Sequence, residues 1–493
     1  MENILKEVPL YKKIVDSKLI RILISVDKQI TQSLINGEIA TRPAKTNGLW
    51  CCLLLPTVLV AYSILYTVSE LYVLLAFISV GLLSYCFLFI VFMSISCLVL
   101  KENFFGGCEA SSLVATLLIY TFQGQGIIFS LTFSVIAIYS FSALLRLALT
   151  QCPKTFTIGE AMVVIQSIIL FGVMAIGKSL YNMGDKQDDE MQFLNSVIFT
   201  ILSSVGIIVT ALFVLDESQK TLAVLGYITS VTGTYALMIL HVQVGLDCIL
   251  KIASYILLDF AKMKLILLWL CLVGISVFVV LIRTKLNVKA STVTRKTFHV
   301  LASLVFLTGI VYDIRLMNLA IGVGFGAIIL VEAFRKSEIE TISPALQAAF
   351  EVYSDEKDAG CFAMTPLYLY VGLACPLLLV PVHPGYELEL LSGVLSIGVG
   401  DTAASWFGSK YGFNKWAGGD KSVEGTAFNV LSQVAVVYAL ELFGLLDTPQ
   451  AIFRATVSAA ISGLVEAKTD QVDNLILPLV SILSFQLTTV FHF

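Results

Sequence analysis

Apolar runs alternate with short polar breaks along almost the whole chain. They cover residues 49–68, 71–99, 109–123, 126–149, 159–180, 192–215, 222–250, 264–283, 298–312, 316–334, 361–380, 388–407, 422–446, 450–466 and 474–491. A helix rises about 1.5 Å per residue, so about 20 apolar residues cross the ~30 Å hydrocarbon layer of a bilayer. The pattern predicts an all-α, polytopic transmembrane helical protein of about 15 spans, within a range of roughly 13–17. Breaks at 101–108, 150–157 and 184–191 read as loops. His241, Gln243, Asp247 and Lys251 interrupt the run at 222–250, marking either cavity-lining positions or an interfacial segment.

Composition agrees with the pattern. Of 493 residues 57% are hydrophobic and 13% charged, and the mean hydropathy is +0.90. A water-soluble protein of that length has no means of covering so much apolar surface. The net charge of −4 gives no electrostatic reason to expect a nucleic-acid partner. Ten cysteines, among them Cys51, Cys52, Cys86, Cys97, Cys271 and Cys375 in apolar runs, show no zinc-ligand spacing and read as buried thiols. The chain has no Asn-x-Ser/Thr sequon. Its first 47 residues are polar and mixed in charge, without the pattern of a cleavable signal, so the first span is expected to act as a signal-anchor. Ile14, Ile20, Leu23 and Ile24 are spaced loosely as one helix face, which leaves an interfacial helix and a solvated tail as alternatives.

Charge in the loops orients the spans. The loop with Arg283, Lys285, Lys289, Arg295 and Lys296 carries no acidic residue and is placed in the cytosol by the positive-inside rule. Pairs of crossings then return the 335–358, 408–421 and 466–473 loops to the same face, and the N-terminus with them. This gives a cytosolic N-terminal tail (1–47), an N-terminal multispanning scaffold (48–284) without recognisable chemistry, and a C-terminal catalytic membrane domain (285–493).

Four charged clusters converge on that face: Arg295, Lys296 and His299; Glu332, Arg335, Asp355, Glu356, Lys357 and Asp358; the stretch Gly398–Thr426; and Glu466, Asp470, Asp473 and Asn474. The third is the most specific. It sets Asp401, Lys410, Lys415, Asp420, Lys421 and Glu424 among seven glycines between two apolar runs. An ionisable residue at the end of a membrane helix is by default functional. Glycines let a backbone approach an anion, lysines neutralise phosphate oxygens, and carboxylates hold a divalent cation. These are the parts of a nucleotide-phosphate site, and phosphoryl transfer needs little beyond positioning and charge neutralisation. The stretch is not a P-loop, because Asp420 breaks the Gly-Lys-Ser sequence. Gly322, Gly324 and Gly326 lie mid-span, where helix packing explains them. The competing reading of Asp401 is a helix cap. For the chain as a whole, a CTP-using cytidylyltransferase and a membrane transporter remain open beside a lipid-alcohol kinase.

The run GDTAASWFGSKYG…GGDKSVEGT resembles the signature of the dolichol kinases and their relatives, the CTP-dependent polyprenol, phytol and diacylglycerol kinases. RKxxH at 295–299 and VDNLILP at 472–478 resemble further shared blocks, and DEKDAG at 355–360 the dolichol kinase branch. The resemblance covers about 290–490; residues 1–285 match only as a long multispanning extension. It implies transfer of the γ-phosphate of CTP to the terminal hydroxyl of dolichol at the endoplasmic reticulum membrane, with a CTP-binding loop at 398–426. Residue chemistry assigns the roles within it. Asp401, Glu424 and Lys421 are the expected catalytic residues. Gly400, Thr402, Ser405, Lys410, Lys415, Gly418, Gly419, Lys421, Ser422, Gly425 and Thr426, with Arg295, Lys296 and His299, are expected to bind CTP. Asp401, Glu424, Asp470 and Asp473 are the expected ligands of a divalent cation, Mg²⁺ first among them.

Overall fold

A computed structural model describes residues 18–96, 103–181, 189–354, 358, 360–381, 385–416, 419 and 421–490. The helices in order are α1 (Lys18–Asn36), α2 (Leu54–Leu65), α3 (Glu70–Ser96), α4 (Cys108–Phe122), α5 (Ile127–Gln151) and α6 (Ile158–Tyr181). They continue as α7 (Asp189–Val214), α8 (Leu222–Val244), α9 (Cys248–Leu257), α10 (Phe260–Leu286), α11 (Thr292–Tyr312), α12 (Ile314–Lys336) and α13 (Ser343–Tyr353). The last are α14 (Met364–Leu379), α15 (Glu387–Leu390), α16 (Thr402–Tyr411), α17 (Val423–Leu442), α18 (Ala451–Lys468) and α19 (Asp473–Val490). Among the described residues there is no strand, only an isolated antiparallel bridge between Lys415 and Ser422. The all-α expectation holds.

Within the described residues, every apolar run read from the sequence forms one or more helical segments. Among the described residues eight are long and apolar enough to cross a membrane: α3, α5, α6, α7, α8, α10, α12 and α17. The figure falls below fifteen for a physical reason. Four further apolar helices are shorter than 18 residues (Leu49–Leu65, Cys108–Phe122, Cys248–Leu257 and Met364–Leu379), and α18 interrupts its apolar sequence with buried Arg454, Ser458, Ser462 and Glu466. The run 222–250 breaks at Gly245 into α8 and the ten-residue α9. About 15 Å of helix is half a hydrocarbon layer, so the run still contributes one crossing.

The chain folds as two compact units that interleave in sequence. One comprises Met1–Asp185, Lys357–Cys361 and Leu378–Phe493; the other comprises Lys186–Glu356 and Phe362–Leu377. A boundary near residue 285 therefore falls inside the second unit. That unit packs α7 against α8 and α12, with Ile208, Leu212, Leu225 and Ile339 at its centre. Gly322 and Gly326 lie against Ile198 and Val205 of α7, the helix packing expected of them.

In the first unit, α3 to α6 pack around Leu74, Ile78, Leu82, Tyr85 and Phe141. The described part of the stretch expected as a tail is folded into it. Ile30 and Leu34 of α1 are buried, and Ser33 Oγ donates to the Met93 carbonyl at 2.7 Å. Beyond α1, Gly48 takes a left-handed conformation (φ 66°) that brings its carbonyl onto the start of α6. A Cβ on Gly159 would overlap that oxygen, whereas one on Gly172 in the same helix meets nothing within 4 Å. Gly159→Ala is therefore expected to lower the unfolding temperature of the detergent-solubilised protein by several degrees, an overpacking cost of about 1–3 kcal/mol. Gly172→Ala should leave it unchanged or raise it slightly.

Candidate active site

Residues 387–411 form one almost continuous helical rod, α15 leading into a π-helical turn (Val394–Asp401) and then α16. Wide π turns accommodate an extra residue per turn and recur at functional sites. Here the turn ends on Asp401, which is 4% exposed. Asp401 has helical dihedrals (φ −64°, ψ −33°) and its side chain makes no capping bond, so the helix-cap reading has no geometry behind it. Gly400 packs directly on α17: a Cβ there would sit 2.5 Å from Asn429 Oδ1 and from Gln433 Nε2. Those two amides are buried and joined to each other at 2.6 Å.

Asp401 meets two further carboxylates. Glu466 lies in the last turn of α18, and Asp473 opens α19; one oxygen from each of the three lies within 4.8 Å of the others. The positive end of the α19 dipole favours Asp473, while Glu466 stands at a negative helix end that disfavours its charge. Lys421 offsets this. Its Nζ is 2.5 Å from Glu466 Oε1 and 3.5 Å from Asp473 Oδ2, and it donates to the Glu466 carbonyl at 2.6 Å. Burial alone would pull the Lys421 ammonium down, but Asp473 and Glu466, with Asp401 beyond, hold it above the ordinary lysine range. A group raised in this way keeps its charge, and its contribution to stability, at every pH below that range. Three carboxylates and one ammonium carry a formal charge of −2. Hard oxygen donors with that balance suit Mg²⁺, Mn²⁺ or Ca²⁺, so the residues fit the expected divalent cation.

The loop before α17 is a small hairpin that delivers Lys421. Trp416 N donates to the Lys421 carbonyl at 2.9 Å and Val423 N to that of Asn414 at 2.8 Å. Trp416 Nε1 donates to Thr426 Oγ1 at 3.0 Å, and Lys468 Nζ lies 4.9 Å from the Trp416 ring centre. Ser422 caps α17 by accepting from Gly425 N at 3.1 Å. Gly425 meets Gly408 where a Cβ would come 3.3 Å from the Gly408 Cα, so these glycines serve the close approach of α16 and α17. Glu424 is not one of the three gathered carboxylates; it accepts from Asn414 N and, at 2.6 Å, from Asn414 Nδ2, bracing the hairpin. Lys415 and Lys410 are exposed, the latter 5.3 Å from the Tyr411 ring centre. Thr402 Oγ1 donates to the Ile397 carbonyl at 3.3 Å, and Ser405 and Gly419 are half-buried. Gly418 and Asp420 lie outside the described residues, as do Asp355, Glu356 and Lys357.

Asp470 also serves elsewhere. Its carboxylate accepts from Lys45 N and, at 3.2 Å, from Thr46 Oγ1. Glu466 takes the place in the carboxylate group that sequence reading gave to Glu424 and Asp470. In the other compact unit, Arg295, Lys296 and His299 occupy the first two turns of α11, with His299 buried and its Nδ1 3.3 Å from the Arg295 carbonyl.

The model of the dolichol kinase family matches residues 76–368. The chain is 27% identical to a dolichol kinase of Mus musculus over 391 residues, covering 76% of this chain and 73% of that one. It is 28% identical to a dolichol kinase of Bos taurus over 391 residues, 76% and 72% of the two chains. Over 264 residues it is 25% identical to a dolichol kinase of Saccharomyces cerevisiae, 52% and 48% of the two. No solved structure matches. The matched region starts well before residue 290, so the helices from α3 to α10 carry family likeness although they hold none of the blocks read as motifs.

A titration with Mn²⁺ tests the two glutamates separately. Glu466→Gln is expected to weaken Mn²⁺ binding by roughly ten-fold or more, read by electron paramagnetic resonance of free Mn²⁺ in a titration. Glu424→Gln should leave it within about two-fold of wild type.

Proposed function

The chain belongs to the dolichol kinase family, and from that premise we propose that it transfers the γ-phosphoryl group of CTP to the terminal hydroxyl of dolichol. The product, dolichyl phosphate, serves protein glycosylation, and the protein is a multi-pass enzyme of the endoplasmic reticulum membrane with its site on the cytosolic face. One observation carries the reading: Asp401, Glu466 and Asp473 gather around Lys421 where apolar helices end. There a lipid hydroxyl arriving from the membrane can meet a nucleotide arriving from water.

Each residue has a task in this reading. The alcohol keeps its proton until late in a loose transition state, so a strong base is unnecessary; the Asp401 carboxylate orients the hydroxyl and accepts that late proton. Lys421 holds Glu466 and Asp473 in place and presents positive charge to the phosphates. A divalent cation held by Asp401, Glu466 and Asp473 supplies neutralisation of the phosphate oxygens. Lys410 and Lys415, both exposed, offer charge on the water side for the rest of the nucleotide. Arg295, Lys296 and His299 are assigned to CTP by the RKxxH resemblance alone.

The purified protein, given γ-labelled CTP or ATP with dolichol, phytol or diacylglycerol, is expected to label dolichol from CTP and release CDP. Release of pyrophosphate would identify a cytidylyltransferase. Asp401→Asn should lower transfer at least about 100-fold at normal protein level, and Lys421→Ala should lower kcat/KM for CTP roughly ten- to a hundred-fold. Activity of Asp401→Asn within about three-fold of wild type would remove Asp401 from the reaction. For orientation, cysteines placed at Lys415 and Asp470 on a cysteine-free background should react with an impermeant thiol reagent from the cytosolic side.

A further inference from the structure

Four residues, Thr469 to Val472, link α18 to α19 and so separate Glu466 from Asp473. The link is held by residues from the beginning of the chain. Arg42 Nη2 donates to the Asp470 carbonyl at 3.1 Å, and Lys45 N and Thr46 Oγ1 donate to the Asp470 carboxylate. Thr157 Oγ1 donates to Gln471 Oε1 at 2.6 Å, and Gln471 Nε2 donates to the Thr46 carbonyl at 3.0 Å. Val472 N donates to Glu160 Oε1 at 2.9 Å. Gln471 is fully buried against Gly48, where a Cβ would collide with its side chain.

Glu160 is the centre of this arrangement and is wholly buried. It closes a capping box at the start of α6: Thr157 N donates to Glu160 Oε2 at 2.9 Å, and Glu160 N to Thr157 Oγ1 at 3.2 Å. A capping box needs one carboxylate oxygen. The other takes Val472 N together with Arg42 Nη2 at 2.6 Å, while Arg42 Nε reaches Oε2 at 3.1 Å. A buried ion pair is weak evidence for stability by itself. This one reaches the residue next to Asp473 and the carbonyl three residues before it.

We infer that Arg42, Glu160 and Gln471 are positioning residues that fix Asp473 relative to Asp401 and Glu466, so that the N-terminal part of the chain sets the geometry of the cation site. The inference rests on the reading of those three carboxylates as a divalent-cation site. A 1 Å displacement of a group in an active site can cost about 100-fold in rate, and a link anchored at three successive residues prevents such a displacement.

Mn²⁺ titration of monodisperse detergent-purified variants, followed by electron paramagnetic resonance, tests it without recourse to activity. Glu160→Gln preserves the capping box, since glutamine serves there, but puts a donor NH2 where Oε1 accepts from Val472 N and Arg42 Nη2, so both of those bonds are lost. Gln471→Leu removes two anchors of the link while leaving the ion pair intact, and covers the case in which Glu160→Gln does not fold. Both are expected to weaken Mn²⁺ binding about three- to ten-fold, and to lower kcat more than they raise KM for CTP. Ser33→Ala, which removes a buried bond of the same N-terminal region that goes to the Met93 carbonyl and not to the link, should lower the unfolding temperature without moving Mn²⁺ affinity. Wild-type Mn²⁺ affinity in both folded link variants, with affinity lost in Asp473→Asn, overturns the positioning role alone. Unchanged affinity in Asp473→Asn overturns the cation site and the inference together.

Discussion

Three carboxylates held within 4.8 Å of one another repel, and the first compact unit is arranged to bear that repulsion. Part of the compensation is local: Lys421 lies against two of them, and the α19 dipole supports Asp473. The remainder is mechanical. Glycine at 400 lets α17 close on the π turn, the Lys415–Ser422 hairpin brings Lys421 inward, and buried bonds to residues 42–48 and 157–160 hold the link before α19. A site of this kind tolerates little slack, because like charges move apart wherever the backbone yields.

The helical architecture was legible because lipid enforces it. Unpaired backbone groups are excluded from the hydrocarbon layer, so each long apolar run has a helix as its outcome. Lys421 and Asp401 were legible for the related reason that charge at the end of such a run needs a purpose. The choice among Glu424, Glu466, Asp470 and Asp473 was not. Glu424 sits in the first turn of α17 and Asp470 in a non-helical link, and which way either side chain turns depends on Asn414 and on residues 45 and 46. No periodicity encodes that.

The glycines of 398–426 illustrate a different limit. Their number suggested backbone approach to an anion, whereas Gly400, Gly408 and Gly425 lie at helix–helix contacts. Glycine density reports that something comes close without saying what. Arg42 and Glu160 mark the same limit at long range. The Thr157-x-x-Glu160 capping box is local and readable, but the bond from Arg42 to the Asp470 carbonyl joins residues 428 apart. Such a pairing leaves no trace in a window of any useful length.

That separation has a consequence for how the protein is made. At ~5–20 residues per second, roughly 20 to 90 s pass between synthesis of Arg42 and of its partner at 470. Through that interval the Glu160–Arg42 pair lacks its partners at 470 and 472, and residues 186–356 of the other unit are made meanwhile. The first unit is thus begun early and closed last. A ribosome that stops between α6 and α19 releases a chain whose opening six helices still lack the segment that completes them, leaving buried polar groups open to the cell's membrane quality control.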